Sequence, residues 1–394
     1  MHESFDVVVV GGGLVGASTA FHLAALSKLK VALVERGQIC SGGTASSCAI
    51  VRTHYSVPSN VELTVQSLKI FDEFPTYLDD PEADSGFVRS GYLILADEGT
   101  MSEKLIGNMR MQGEFTDTHA VSHREALELH PLLDLSGIDA VGHEPRSGYA
   151  DPYLTTSGFE RAARRRGVTI MTDRQVERLC TDGMRVTGVE TNLGVIHAGF
   201  VVCAIGPWTR MLTDPLGIET HLEVSRHTVL TLRSDDTYGR LLPVIKDLST
   251  ENKMYFRPST GGVVLVGTGD YGDPIVDPDT MSEALDDDFV LLQGGQIARR
   301  MPSFADAALV DSWVGAYDIT PDWNPVLGAP EGWEQLALAY GFSGHGFKLA
   351  PAVGKVLAQT VLGEAPDVDI AAYHHGRFQE GSLLTGTYGI GSIS

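Results

Sequence analysis

The chain has 394 residues, 43% of them apolar, and a formal charge of −22. That length exceeds one compact core and predicts two interleaved domains, while the charge excludes a general nucleic-acid binder, because phosphate neutralisation needs basic surface. No apolar run reaches the roughly 20 residues of a membrane span, Met1-His2-Glu3-Ser4 lacks the basic region of a secretory signal, and four scattered cysteines with no metal-ligand spacing point to a reducing cytoplasm and no metal.

Phe5–Val10 is predicted as a buried parallel strand, followed by Gly11, Gly13 and Gly16 at G-x-G-x-x-G spacing and a helix from Leu14 to about Leu26. A second buried strand, Lys30–Val34, ends at Glu35. In such a unit the first glycine allows the tight turn, the second lets backbone approach a pyrophosphate, and the third lets helix and strand lie close. The helix N-terminus then offers unpaired N–H groups and a positive dipole end to phosphate, and Glu35 is placed to accept from ribose hydroxyls. This part of the chain is expected to bind an adenine dinucleotide.

Small hydroxylated residues follow in Ser41-Gly-Gly-Thr-Ala-Ser-Ser47, with Arg52 just beyond on a short apolar segment. Helices are predicted over Asn60–Phe74, Ser122–Leu129 and Thr155–Arg166, and strands over Val88–Ala96, Thr169–Met171, Arg185–Glu190 and Gly199–Gly206. Hairpin signals dominate from Leu222 to Val276, with strands at Thr228–Leu232, Lys253–Arg257 and Val263–Gly267 around the Gly261-Gly262 turn. Two further constellations follow: Trp313-Val-Gly-Ala-Tyr-Asp-Ile-Thr-Pro-Asp322 with Asn324-Pro325, and Gly341-Phe-Ser-Gly-His-Gly-Phe-Lys348 opening a last helix to Leu362. The Gly/Ser/Thr-rich end, Glu380–Ser394, reads equally as a mobile tail or an interface strand.

Together these stretches resemble the flavoprotein amine oxidase family of D-amino acid, glycine and monomeric sarcosine oxidases, most of all its sarcosine and dimethylglycine branch. The resemblance runs from Phe5 to about Leu362. It implies an α/β protein: a Rossmann-type FAD-binding domain with a parallel sheet, and an antiparallel-sheet substrate domain inserted into it. The expected division gives 1–86, 147–220 and 313–378 to FAD, 87–146 and 221–312 to substrate, and 379–394 to the tail. The expected cofactor contacts are Gly11, Gly13, Gly16, Glu35, Arg36, Ser41, Ser46, Ser47, Val176, Gly206, Trp208, Gly344, Gly346, Phe347 and Lys348.

The resemblance further implies that Arg52 and Lys348 clamp a substrate carboxylate and that Tyr317 and His345 lie near the flavin. Two departures stand out. The position at which monomeric sarcosine oxidases attach flavin to cysteine is Gly315, so FAD is expected to be non-covalent. The position of their oxygen-activating lysine is Leu265, with no lysine between Lys253 and Lys348, so reaction with oxygen is expected to be slow. The expected activity is oxidation of the C–N bond of a small carboxylate-bearing N-methyl or other secondary amino acid. The alternatives are a 2-hydroxy acid or D-amino acid dehydrogenase, and a flavin subunit passing electrons to a partner protein.

Overall fold

In a computed structural model, residues 3–391 are described except 235–238, 240, 270, 271 and 276. β1 (Glu3–Val10) sits centrally in an eight-stranded sheet, parallel to β2 (Val31–Val34) on one side and to Gly194–Cys203 on the other. Thr169–Met171 and Leu336–Tyr340 extend the parallel set outward. The unbroken apolar runs of β1 and β2 follow from burial on both faces. Val7, Val9 and Leu33 pack toward α1 (Leu14–Leu26), whereas Val8, Val10 and Val34 pack with Leu179 and Val189.

α1 lies against the helices Pro152–Arg165 and Gly346–Leu362. The latter approaches closely because residue 354 is glycine: a Cβ there would stand 2.2 Å from Ser18 Oγ. That fit holds the last helix, and the loop that opens it, against the nucleotide unit.

A second sheet of nine strands forms around Glu223–Arg233, which pairs antiparallel with Ala308–Ile319 along nearly its whole length. The hairpin Tyr255–Pro258/Val264–Gly267 turns at Gly261-Gly262, both at positive φ (80° and 72°), which glycine adopts without a Cβ penalty. Val244–Asp247 pairs with Tyr255–Pro258 and, in parallel, with Tyr92–Ala96.

Several expectations need adjusting. The strand predicted from Val88 starts at Tyr92, because Gly91 takes φ 83° and Val88 makes only an isolated bridge to Tyr149. Residues 313–319, placed with the FAD part, continue the antiparallel sheet. The helices Thr100–Gln112 and Asp287–Arg300 and the strands Val176–Asp182 and Val244–Asp247 were not anticipated. Through residue 391 the tail folds back on the chain: Tyr388 Oη lies 3.0 Å from His54 Nε2, and Leu384 N–H donates to Asp322 (3.0 Å); residues 392–394 lie outside the described set.

Among the described residues no helix is long and apolar enough to cross a membrane, and no group of three His, Cys, Asp or Glu could hold a metal. All four cysteines are free.

Candidate active site

A cavity of about 510 Å³ starts at the glycine turn after β1, continues under the Ser41–Ile50 segment and ends at the antiparallel sheet. Gly11 takes φ 108°, and a Cβ on it would fall 2.3 Å from Ala204 O. Gly16 is packed more tightly still, since its Cβ would stand 1.9 Å from Gly11 O. Gly13 caps α1 without a side-chain acceptor, and the Leu14 N–H donates to Thr44 Oγ1 (3.1 Å). Glu35 is held at the end of β2 by N–H donation from Gly12 to Oε2 (2.6 Å) and from Gly37 to Oε1 (2.8 Å). Each carboxylate oxygen keeps acceptor capacity for a further donor.

Ser41, Ser46, Ser47, Val176, Gly206 and Trp208 all line the same cavity, as does Arg36. Arg36 is already engaged: its guanidinium lies 4.3 Å over the Trp208 ring and forms a two-pronged pair with Asp279 (2.9 and 2.7 Å). Trp208 Nε1 donates to the same carboxylate (2.8 Å), so three segments meet at this mouth. A helix N-terminus with no side chain at its cap, a cradle that one methyl would fill and an oriented acid beside it fit the diphosphate and ribose of FAD.

At the far end the loop Gly341–Lys348 turns through three positive φ values: Gly341 (75°), Ser343 (49°) and Gly344 (78°). A Cβ on Gly341 would collide with Thr320 (2.2 Å) and one on Gly344 with the Tyr317 ring (2.2 Å). Asp318, which no local pattern marks as functional, holds this loop by accepting the Gly341 N–H (2.7 Å). Burial pushes its carboxyl up to about 6, against the pull of the loop's backbone N–H groups. Gly344, His345, Gly346, Phe347 and Lys348 line the cavity at the start of the last helix, whose dipole favours negative charge there.

Around this end the structure gathers Arg52, Tyr317, His345 and Lys348. Arg52 is buried, lies 4.3 Å over the Tyr55 ring and donates to the His54 carbonyl. Behind it Glu144, also buried, accepts from the Thr53 N–H (2.9 Å) and the Ser147 hydroxyl (2.6 Å). Tyr317 stacks on His227 with centroids 3.7 Å apart, and burial holds His227 neutral at about 3. His345 meets the edge of Tyr55 at 5.3 Å. Lys348 is buried and makes no hydrogen bond to another described residue; burial, then Arg52 and Lys246, push its pKa well below the usual lysine range.

Lys246 is a further cation at this end. It projects from Val244–Asp247 into the cavity beside Tyr92 and Tyr255. Leu265 is packed with Cys48 and Val229 and is not among the lining residues. The cations at this end are therefore Arg52, Lys246 and Lys348, and none stands at position 265. His54 is likewise not a lining residue: burial lowers it to about 3, between Gln112 and Tyr388. The Thr-Pro-Asp segment is a lock, with Asp322 holding Arg377 in a fully buried pair (2.8 and 3.0 Å).

A parallel sheet with a glycine loop at its first crossover, and a cavity leading from there past a second glycine loop to buried cations, defines a flavin-dependent oxidoreductase. The chain belongs to the DAO family of FAD-dependent oxidoreductases, whose sequence profile matches residues 6–360. It is similar to the sarcosine oxidase subunit beta of an Arthrobacter species (27% identical, covering 97% of this chain and 93% of that one). Human mitochondrial dimethylglycine dehydrogenase is 25% identical over 95% of this chain, which spans 44% of that protein. Among solved structures, L-proline dehydrogenase from P. horikoshii superposes with a TM-score of 0.89 at 27% identity, covering 98% of this chain and 100% of that one.

Proposed function

We propose that the enzyme oxidises the C–N bond of a small carboxylate-bearing amino acid, with a secondary amine as the preferred nitrogen. One observation carries this reading: Arg52 and Lys348, from separate segments, are both buried on the wall of one cavity beside the Gly341–Phe347 loop. Two cations facing one cavity favour an anionic group held between them through charge-assisted hydrogen bonds, and a substrate carboxylate supplies that group. Similarity to proteins named for sarcosine and proline, both secondary amino acids, supports the choice of nitrogen.

FAD, held by Gly11, Gly13, Gly16 and Glu35 at one end and by the Gly344–Phe347 backbone at the other, supplies the two-electron acceptor when bound. Arg52 and Lys348 fix the carboxylate, so the carbon beside the nitrogen is presented in one orientation. The amine reacts neutral, its lone pair becoming the C=N bond, and water then hydrolyses the imine. No side chain has to remove a C–H proton. Anaerobic addition of sarcosine or L-proline is expected to bleach the flavin absorbance. Bleaching by lactate or 2-hydroxyglutarate with none by amines would overturn the reading.

FAD is held without a covalent bond. Gly315 has no nucleophile, and the space a Cβ would take is filled by Ser46 at 2.9 Å. Acid precipitation is expected to release the yellow colour into the supernatant; colour retained in the pellet would show an attachment elsewhere.

Carboxylate binding raises the depressed Lys348 pKa toward its ordinary value, so binding takes up a proton. Affinity is therefore constant below the free-enzyme pKa of Lys348 and falls as pH rises through it, by up to about tenfold per unit. The dissociation constant of a non-reacting carboxylate, measured against pH, is expected to show this slope. Lys348→Arg flattens it, because arginine stays charged. A flat profile in the unmodified enzyme would remove Lys348 from the clamp.

A further inference from the structure

We propose that Asp279 is a latch that slows the release of FAD, by holding Arg36 and Trp208 together at the nucleotide end of the cavity. This rests on placing the FAD nucleotide at the Gly11–Gly16 turn, and not on the identity of the substrate. Arg36 and Trp208 both line that end of the cavity. Arg36 directly follows Glu35, and the Trp208 ring packs on the hydroxylated segment, 3.5 Å from where a Cβ on Gly42 would stand. Asp279 comes from neither segment: it arrives on a loop that follows Asp273–Ile275 of the nine-stranded sheet. Its one carboxylate takes three donors, both terminal nitrogens of Arg36 (2.9 and 2.7 Å) and Trp208 Nε1 (2.8 Å).

The loop is built to present that carboxylate. Before it, Asp273–Ile275 pairs with Val224–Arg226. After it, the Arg226 guanidinium donates to the carbonyls of Ser282 (2.7 Å) and Ala284, and it also reaches Asp273 (3.4 Å). One arginine, 9% exposed, thus fixes both feet of the loop. At the tip, Asp277 caps the turn Pro278–Thr280 by accepting the Asp279 N–H (2.9 Å). Arg36 and Trp208 are held from the other sheet, after β2 and after Gly194–Cys203. The contact is therefore a bidentate, charge-assisted link between the two sheets, made beside the nucleotide. Its side chains are 38% and 45% exposed, and an exposed pair adds little to the stability of a fold. Departure of the cofactor is the step that such a link opposes. The hydrogen bond from Arg36 holds the Asp279 carboxyl below its usual range, so the link stays ionised at neutral pH.

The test follows FAD release from the purified holoenzyme, counting bound flavin after rapid desalting at timed intervals following dilution. Asp279→Asn is expected to release FAD about five- to tenfold faster than the parent, the scale of a bidentate charged contact that is partly exposed. Asp279→Glu, which keeps the charge, should stay closer to the parent. Added salt should speed release from the parent more than from Asp279→Asn, because only the parent has the exposed ion pair to screen. The melting temperature of the apoprotein should be the same in all three, which separates retention of FAD from a general loss of stability. Release from Asp279→Asn at the parent's rate, or faster release matched by a lower apoprotein melting temperature, would overturn the latch. Glu35→Gln tests the placement of the nucleotide separately and is expected to weaken FAD affinity. Weaker binding in that variant with parental release from Asp279→Asn sinks the latch alone, whereas parental FAD binding in both removes the placement as well.

Discussion

Asp322→Ala is expected to cost about 3–5 kcal/mol of stability, the range for removing one partner of a buried pair. The pair with Arg377 is fully buried, and Asp322 also accepts from the Asn324 N–H (3.1 Å) and the Leu384 N–H (3.0 Å). Truncation strands a guanidinium in the interior and frees the start of the tail. Since Tyr388 of that tail bonds His54, whose carbonyl takes the Arg52 guanidinium, the loss is also expected to loosen the substrate end. Denaturant unfolding checks the first effect and limited proteolysis after residue 380 the second. Asp322→Ala with Arg377→Met should recover part of the loss, because no charge is then left unpaired. A variant as stable and protease-resistant as the parent would show that Asp322 is not the lock.

The lock illustrates what a single sequence conceals. Thr-Pro-Asp322 is visible as a motif, yet nothing in the chain links it to an arginine 55 positions later. By contrast the β1–α1–β2 unit was legible because its determinants are local: glycine spacing, an apolar run buried on both faces, and an acid at the end of β2. The Gly341–Lys348 loop was legible for the same reason, since its glycines answer to positive φ and to steric limits set by Thr320 and Tyr317. Lys246 was not, because its strand, Val244–Asp247, is placed at the cavity by parallel pairing with the distant Tyr92–Ala96. Its neighbour Asp247 is spent on a buried pair with Arg300 (2.8 Å), which no local pattern announces. Glu144 and His227 enter the site through strand register alone, Glu144 opposite Tyr92 and His227 opposite Gly315. Pairing between distant strands is the information that residue type and spacing do not carry.

Arg52→Ala is expected to raise the apparent KM about ten- to a hundredfold while FAD content stays intact. Charge-assisted hydrogen bonds to a desolvated carboxylate contribute roughly 1.5–3 kcal/mol, and each 1.4 kcal/mol is about tenfold in affinity. The geometry favours an effect on substrate over one on cofactor. Arg52 lies at the Lys348 end of the cavity, stacked on Tyr55, whereas the nucleotide end is built from Gly11, Gly13, Gly16 and Glu35. Its removal also leaves Glu144 buried with a weaker countercharge, so part of the loss appears as reduced stability. Arg52→Lys is expected to recover only part of the affinity, because an ammonium lacks the planar fork that both grips a carboxylate and stacks on a ring. Steady-state kinetics with the flavin-to-protein ratio measured on the same sample separates the two roles. Loss of flavin with unchanged KM would make Arg52 a cofactor ligand and take it out of the carboxylate clamp.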